Sequence, residues 1–326
     1  MAEQIIFFVW GLLLLYIGAE LLVGASSRMA LLLDIAPMVV GLTVVAFGTS
    51  APEFIVSLIA ALNGKIDVAV GNIVGSNIAN IGLVLALSAL LRPIKKVTDG
   101  IRDELIWVLV ASLLFFAFAM DRQVITWEGA LLTIGIFVFT GLLIRRSMQN
   151  RDADVADDVP GVATGWLWLD SRSRGTKLFL LAIGTVGGIV VLGKGSEITI
   201  DAAVAIAEYL GVSQIVIGLT MVAFGTSLPE LATGIISVIK KENEILVGNV
   251  IGSNIFNILG VAGPIALMFN IPVAASNLTL DFPVMILFTL LLIFALFFLK
   301  RLGRLLSLLL FSGYLLYIYY TFTNIS

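Results

Sequence analysis

The segment from Gly41 to Glu53, GLTVVAFGTSAPE, returns from Gly218 to Glu230 as GLTMVAFGTSLPE, identical at 11 of 13 positions. Each copy drops one carboxylate, with a helix-breaking Pro beside it, into an otherwise apolar stretch. The register extends well past the motif. A constant offset of 177 takes Glu20 to Glu197, Asn80 to Asn257 and Glu104 to Asp281, with no gap needed. Chance similarity between apolar segments does not hold one register over about 85 residues, so the fold must contain the same structural unit twice.

Composition decides the solvent of that fold. Of 326 residues, 60% are hydrophobic and 13% charged, a balance that would leave a water-soluble chain with large exposed apolar patches. A bilayer accommodates it, because each spanning helix takes about 20 mostly apolar residues. Cys and His are both absent. Disulfides, thiolate chemistry, haem ligation and imidazole-bound metals are thereby excluded, and carboxylates are left as the titrating groups. The basic residues are scattered, which argues against a nucleic-acid partner.

Apolar runs fall at about 4–32, 36–63, 67–91, 101–120 and 125–147, then at 177–208, 213–239, 244–269, 279–299 and 303–322. The expected fold is all-α and integral to the membrane, with ten transmembrane helices. The first helix of each half should be long and tilted. The repeats would occupy 1–148 and 177–326, joined by a polar linker at 149–176 that carries five Asp and an interfacial Trp166/Trp168 pair. Because the first cation, Arg28, comes only near the end of the first apolar run, that run reads as a first span with its N-terminus outside, and not as a cleaved signal. On this count 16 of 19 Lys and Arg lie inside, Lys65 and Arg122 lie outside, and Lys194 lies within a span. Five spans per copy is an odd number, so the copies should cross in opposite directions, as an inverted-topology repeat. The expected location is the plasma membrane, with the linker cytoplasmic.

Thr49 and Ser50 precede Glu53 by four and three residues, which in a helix puts their hydroxyls on its face. Pro52 has no N–H, so the Gly48 carbonyl loses its helical donor. Thr226, Ser227, Pro229, Glu230 and the Gly225 carbonyl repeat this set. These are hard oxygen donors, suited to Ca²⁺ and Na⁺ and unsuited to soft transition metals. Kinking and packing alone would explain one copy, but two carboxylates in corresponding places are a costly way to pack helices. The helices that follow carry GNIVGSNIAN (Gly71 to Asn80) and GNVIGSNIFN (Gly248 to Asn257), identical at 7 of 10 positions. Their glycines suit close helix packing, whereas Ser76, Asn80, Ser253 and Asn257 need polar partners at that depth. Interfacial solvation accounts for Glu104 and Asp281.

The paired GTSxPE and GNxxGSNxxN segments resemble the α-repeats of the cation/Ca²⁺ exchangers, in particular the compact prokaryotic Na⁺/Ca²⁺ exchangers, over essentially the whole chain. The resemblance implies a non-enzymatic antiporter without cofactors, exchanging Na⁺ for Ca²⁺ by alternating access and working as a monomer. It implies a cluster of ion sites formed by the Ala46 carbonyl, Thr49, Ser50, Glu53, Ser76 and Asn80 from the first half. The Ala223 carbonyl, Thr226, Ser227, Glu230, Ser253 and Asn257 come from the second. It further implies that the helices bearing Glu20 and Glu197 slide as gates. Some members carry Asp where this chain has Asn257, so proton competition and Na⁺ occupancy stay open. The rival within transport is a Ca²⁺/H⁺ antiporter; outside it, an intramembrane hydrolase using paired Glu, which the near-identity of the two motifs disfavours.

Overall fold

A computed structural model describes residues 1–94, 101–149, 171–210 and 225–323. The expectations for Lys95, Lys96, most of the linker with Trp166 and Trp168, and Ala223 lie outside the described residues. Apart from one short strand pair, the ordered elements are helices: α1 (Ala2–Leu33), α2 (Pro37–Thr49), α3 (Ala51–Leu62), α4 (Val68–Leu91), α5 (Arg102–Ala119) and α6 (Thr126–Gln149). There follow α7 (Arg174–Tyr209), α8 (Leu228–Ile239), α9 (Asn243–Met268), α10 (Asn277–Phe298) and α11 (Arg304–Thr323). Helix thus covers each apolar run read from the sequence, so far as the run is described. Six of these helices are long and apolar enough to cross a membrane, or seven with α2 and α3 taken as one broken span. The fold is an all-helical membrane fold.

The chain divides into two compact units, each drawing on both halves of the sequence. One comprises Met1–Thr49 and Leu143–Asn249, the other Ser50–Leu142 and Val250–Ser326.

The first unit is organised on α1 and α7. At 32 and 36 residues they are the longest helices. At 1.5 Å per residue they run to about 50 Å, well beyond the roughly 30 Å hydrocarbon thickness. Their outer faces are lipid-like, with Ile5, Phe7, Val9, Trp10, Phe179, Val186 and Val190 all exposed. Their shared face is a glycine seam. A Cβ at Gly18 would fall 2.6 Å from the Leu192 nitrogen, and one at Gly195 would fall 2.7 Å from the Leu15 nitrogen. Gly11 faces Gly195 while Gly18 faces Gly188, so the helices run antiparallel. The offset of 177 maps Gly11 onto Gly188 and Gly18 onto Gly195. The contact therefore exchanges equivalent positions, as a two-fold axis requires. Small residues allow this backbone approach, which supplies packing that lipid alone would not drive.

In the second unit α4 and the part of α9 from Val250 onward form the interior. The apolar window of α4 is 83% buried and that of α9 is 94% buried, against 28% for α1 and α7. Both change to π-helical hydrogen bonding where their motif ends, over Asn80–Leu85 and Phe256–Ala262. A two-residue strand pair, β1 (Gln123–Val124) with β2 (Ile271–Pro272), ties the α5–α6 and α9–α10 connections, and an isolated bridge joins Ile94 to Leu302. Ile94 and Ile271 are offset equivalents, and Val124 and Leu302 are equivalent to within one residue, so the same strap occurs twice. Interfacial solvation does not account for Glu104 and Asp281. Glu104 is only 5% exposed, and the Asp281 carboxylate accepts from Asn277 Nδ2 at 2.7 Å and Tyr317 Oη at 2.9 Å. Lys194 is not left alone on α7 either, its Nζ lying 2.6 Å from Glu197 Oε2 one turn on.

Candidate ion-binding residues

The two GTSxPE motifs produce the same local structure. The helix breaks at Ser50, with φ −87° and ψ 5°, and at Ser227, with φ −86° and ψ 2°. Pro52 and Pro229 then occupy the first turn of α3 and α8, where a missing N–H is harmless. The break expected from the helix-breaking Pro falls at Ser50: the helix stops at Thr49 and a new one begins at Ala51. This places Glu53 and Glu230 in a first turn, at the positive end of a helix dipole. Both residues are fully buried.

In the first unit the Thr49 hydroxyl joins a network that reaches the first turn of α8. Thr49 Oγ1 lies 3.2 Å from Asn249 Oδ1 and 3.4 Å from the Ala46 carbonyl oxygen. Asn249 Nδ2 donates to Thr233 Oγ1 at 3.2 Å, and Thr233 donates to the carbonyls of Pro229 and Glu230 at 2.8 and 2.9 Å. Ala46, Thr49, Thr226, Ser227 and Glu230 all belong to this unit, and Ser227 Oγ is buried without a hydrogen-bond partner. Ser196 on α7 donates to the Gly225 carbonyl at 3.0 Å, so that carbonyl is not left free as the sequence suggested.

The second unit holds Ser50, Glu53, Ser76, Asn80, Ser253 and Asn257. Asn72 Nδ2 donates to the Glu53 carbonyl at 3.2 Å and to Ser57 Oγ at 2.9 Å, fastening α4 to the first turn of α3. Asn80 Nδ2 donates to Asn254 Oδ1 at 3.0 Å, and Asn254 Nδ2 donates to the Asn77 carbonyl at 3.3 Å. That chain leaves Asn80 Oδ1 buried and without a partner, like Ser76 Oγ, Ser253 Oγ and both polar atoms of the Asn257 amide. Buried polar atoms are rarely left so, and this many acceptors among the motif residues fit a cation ligand set. Among the described residues no three acidic groups gather to hold a metal, so a cation here would draw on neutral oxygens beside carboxylate. Sequence reasoning passed over Asn72, Asn77, Asn249, Asn254, Ser57 and Thr233. For the four Asn the signal was present, since each recurs at the offset of 177.

Comparison with known proteins agrees with this chemistry. The family model described as "Sodium/calcium exchanger protein" matches residues 3–145 and 180–323. The inner membrane protein YrbG of Escherichia coli K12 is 37% identical over 311 residues, covering 94% of this chain and 93% of that one. A putative antiporter, CaxA of Alkalimonas amylolytica, is 39% identical over 79% of this chain and 78% of its own. The sodium/calcium exchanger MaX1 of Methanosarcina acetivorans is 31% identical, over 87% and 88%. The solved structure of the sodium-calcium exchanger NCX_Mj in 10 mM Na⁺ without Ca²⁺ superposes with a TM-score of 0.81 at 30% identity, over 97% of each chain. Together with the buried carboxylate in each copy of the motif, these matches mean that the chain belongs to the sodium/calcium exchanger family.

Proposed function

We propose that the chain is a secondary antiporter exchanging Na⁺ for Ca²⁺ across the plasma membrane by alternating access. The observation that carries this is the pair of buried carboxylates, Glu53 and Glu230, each in the first turn of a helix that restarts after a Ser break. Ca²⁺ gathers six to eight oxygens and needs charge compensation in a low-dielectric interior, which both Glu together supply. The ligands we assign are Glu53 and Glu230 with Thr49, Ser50, Ser76, Asn80, Thr226, Ser227, Ser253, Asn257 and the carbonyls of Ala46 and Ala223. Na⁺ draws on the same carboxylates. Neither ion can fully occupy a carboxylate held by the other, and this exclusion couples the fluxes.

The arrangement we infer is ten spans in two inverted repeats, 1–148 and 177–326, with the N-terminus outside and the 149–176 linker cytoplasmic. The exchange of equivalent glycines between antiparallel α1 and α7 supports inversion. The bias of Lys and Arg to one side of the ten-span count supports the orientation.

The test is uptake of radiolabelled Ca²⁺ into proteoliposomes loaded with Na⁺, K⁺ or protons in turn. Na⁺-dependent uptake is expected. Uptake driven by a proton gradient and indifferent to Na⁺ would replace this reading with Ca²⁺/H⁺ exchange.

A further inference from the structure

Asn249 is absent from the ligand set, yet it is almost wholly buried between the ligand Thr49 and Thr233, and the proton inventory around it favours one arrangement. Thr233 has a single hydroxyl proton. It lies 2.8 and 2.9 Å from the carbonyls of Pro229 and Glu230, which can only accept, so the proton goes to them. Thr233 Oγ1 is then available to Asn249 only as an acceptor, which turns the Asn249 amide nitrogen toward it. The amide oxygen must face the other way, to Thr49. An amide oxygen accepts, so Thr49 donates. Its oxygen lone pairs are left for a cation.

The alternative acceptor for that Thr49 proton is the Ala46 carbonyl, 3.4 Å away and itself assigned as a ligand. Without Asn249 the hydroxyl would turn back onto Ala46, occupying one lone pair of that carbonyl and re-aiming the lone pairs of Thr49.

We infer that Asn249 is a positioning residue: it draws the Thr49 proton away from the Ala46 carbonyl and so presents both neutral oxygens to the transported ion. This rests on the proposed assignment of Thr49 and Ala46 as ligands. It also carries a specificity consequence. A divalent ion takes most of its stabilisation from the carboxylates, whereas a monovalent ion depends relatively more on hydroxyl and carbonyl oxygens. Loss of the Asn249 amide should therefore weaken Na⁺ more than Ca²⁺.

The experiment measures KM for Na⁺ and for Ca²⁺, with kcat, in proteoliposomes for Asn249→Leu, Thr233→Val, Thr49→Val and the Thr49→Val/Asn249→Leu double variant. Asn249→Leu should raise the Na⁺ KM about tenfold, the fold-change of one lost hydrogen bond to an ordered group, and the Ca²⁺ KM less than about threefold. Thr233→Val, which only frees the amide to flip, should shift the Na⁺ KM in the same direction by less. In the Thr49→Val background, Asn249→Leu should add less than about twofold. Equal losses for both ions, or a full additive loss in the double variant, would show Asn249 to be a packing residue and overturn the inference. If Asn249→Leu does not fold, Thr233→Val decides, and an unchanged Na⁺ KM there overturns it. A Thr49→Val protein with unchanged ion affinities, beside an inactive Glu53→Gln, would remove this inference while leaving the carboxylate assignment standing. An active Glu53→Gln would remove that assignment itself.

Discussion

Lys240 Nζ lies 2.6 Å from Glu20 Oε1, joining the turn after α8 to the long helix α1. Two residues on, Glu242 Oε1 accepts a hydrogen bond from Ser27 of the same helix at 2.7 Å. The offset equivalents of Lys240 and Glu242 are Asn63 and Lys65, so the other repeat cannot form the same pair of contacts. Its Glu197 instead pairs with Lys194 along its own helix.

Lys240 contributes here as a charge and as a packed stem, its side chain being only 11% exposed. Lys240→Met keeps the stem and removes the charge. Because the Glu20 side chain remains partly exposed, the expected loss is about 1 kcal/mol or less, a melting shift of a few degrees. Differential scanning fluorimetry in detergent would show it. A Glu20→Gln/Lys240→Met protein should lose no more than the single Lys variant if the ion pair is the cause.

Burial raises the Glu242 carboxyl above its ordinary 4.5, with the Ser27 hydroxyl and the Lys240 charge pulling it partly back. The folded protein thus binds this proton more readily than the unfolded chain. Its contribution to stability is full below 4.5 and is lost as pH rises through the raised value. Glu242→Gln should flatten that segment of the melting-temperature profile against pH, while Ser27→Ala should extend it upward. A profile identical in wild type and Glu242→Gln would contradict the assignment.

The α1–α7 seam leaves no room for a side chain. Gly188→Val would put its Cβ 2.7 Å from the Leu22 nitrogen, within the backbone of α1. Overpacking of this kind costs about 1–3 kcal/mol and forces the helices apart. Lower melting temperature and impaired exchange are expected, whereas Gly187→Val, one residue away with open space around it, should be silent.

Replacing either carboxylate by an amide, Glu53→Gln or Glu230→Gln, keeps the shape of the site and halves its negative charge. Ca²⁺ exchange should fall below detection while the protein stays folded by size-exclusion chromatography. Wild-type Ca²⁺ flux from either variant would sink the ligand assignment.

With Asn at 80 and 257, the ligand set carries two carboxylates. One Ca²⁺ or two Na⁺ neutralises them, and a third Na⁺ leaves a net charge that feels the membrane potential at about 2.3 kcal/mol per 100 mV. The prediction is electrogenic exchange, with an inside-negative potential accelerating Na⁺ entry coupled to Ca²⁺ exit. Fluxes that ignore a valinomycin-clamped potential in both directions would mean electroneutral exchange.

Composition, run lengths and the offset of 177 are properties of the chain as a string, so the membrane class, the doubled unit and the two isolated carboxylates could be read without coordinates. The helix restarts at Ser50 and Ser227 were legible in outline for the same reason, since Pro acts on its own turn. Which hydroxyl meets which amide is a different kind of fact. Thr49 and Asn249 are 200 residues apart, and Ser27 and Glu242 are 215 apart. Each pairing exists only because particular helix faces pack, as the seam at Gly11, Gly18, Gly188 and Gly195 sets α1 against α7. Local periodicity shows that a helix has a polar residue at some depth; only the packed structure supplies the partner, and with it the direction of each proton.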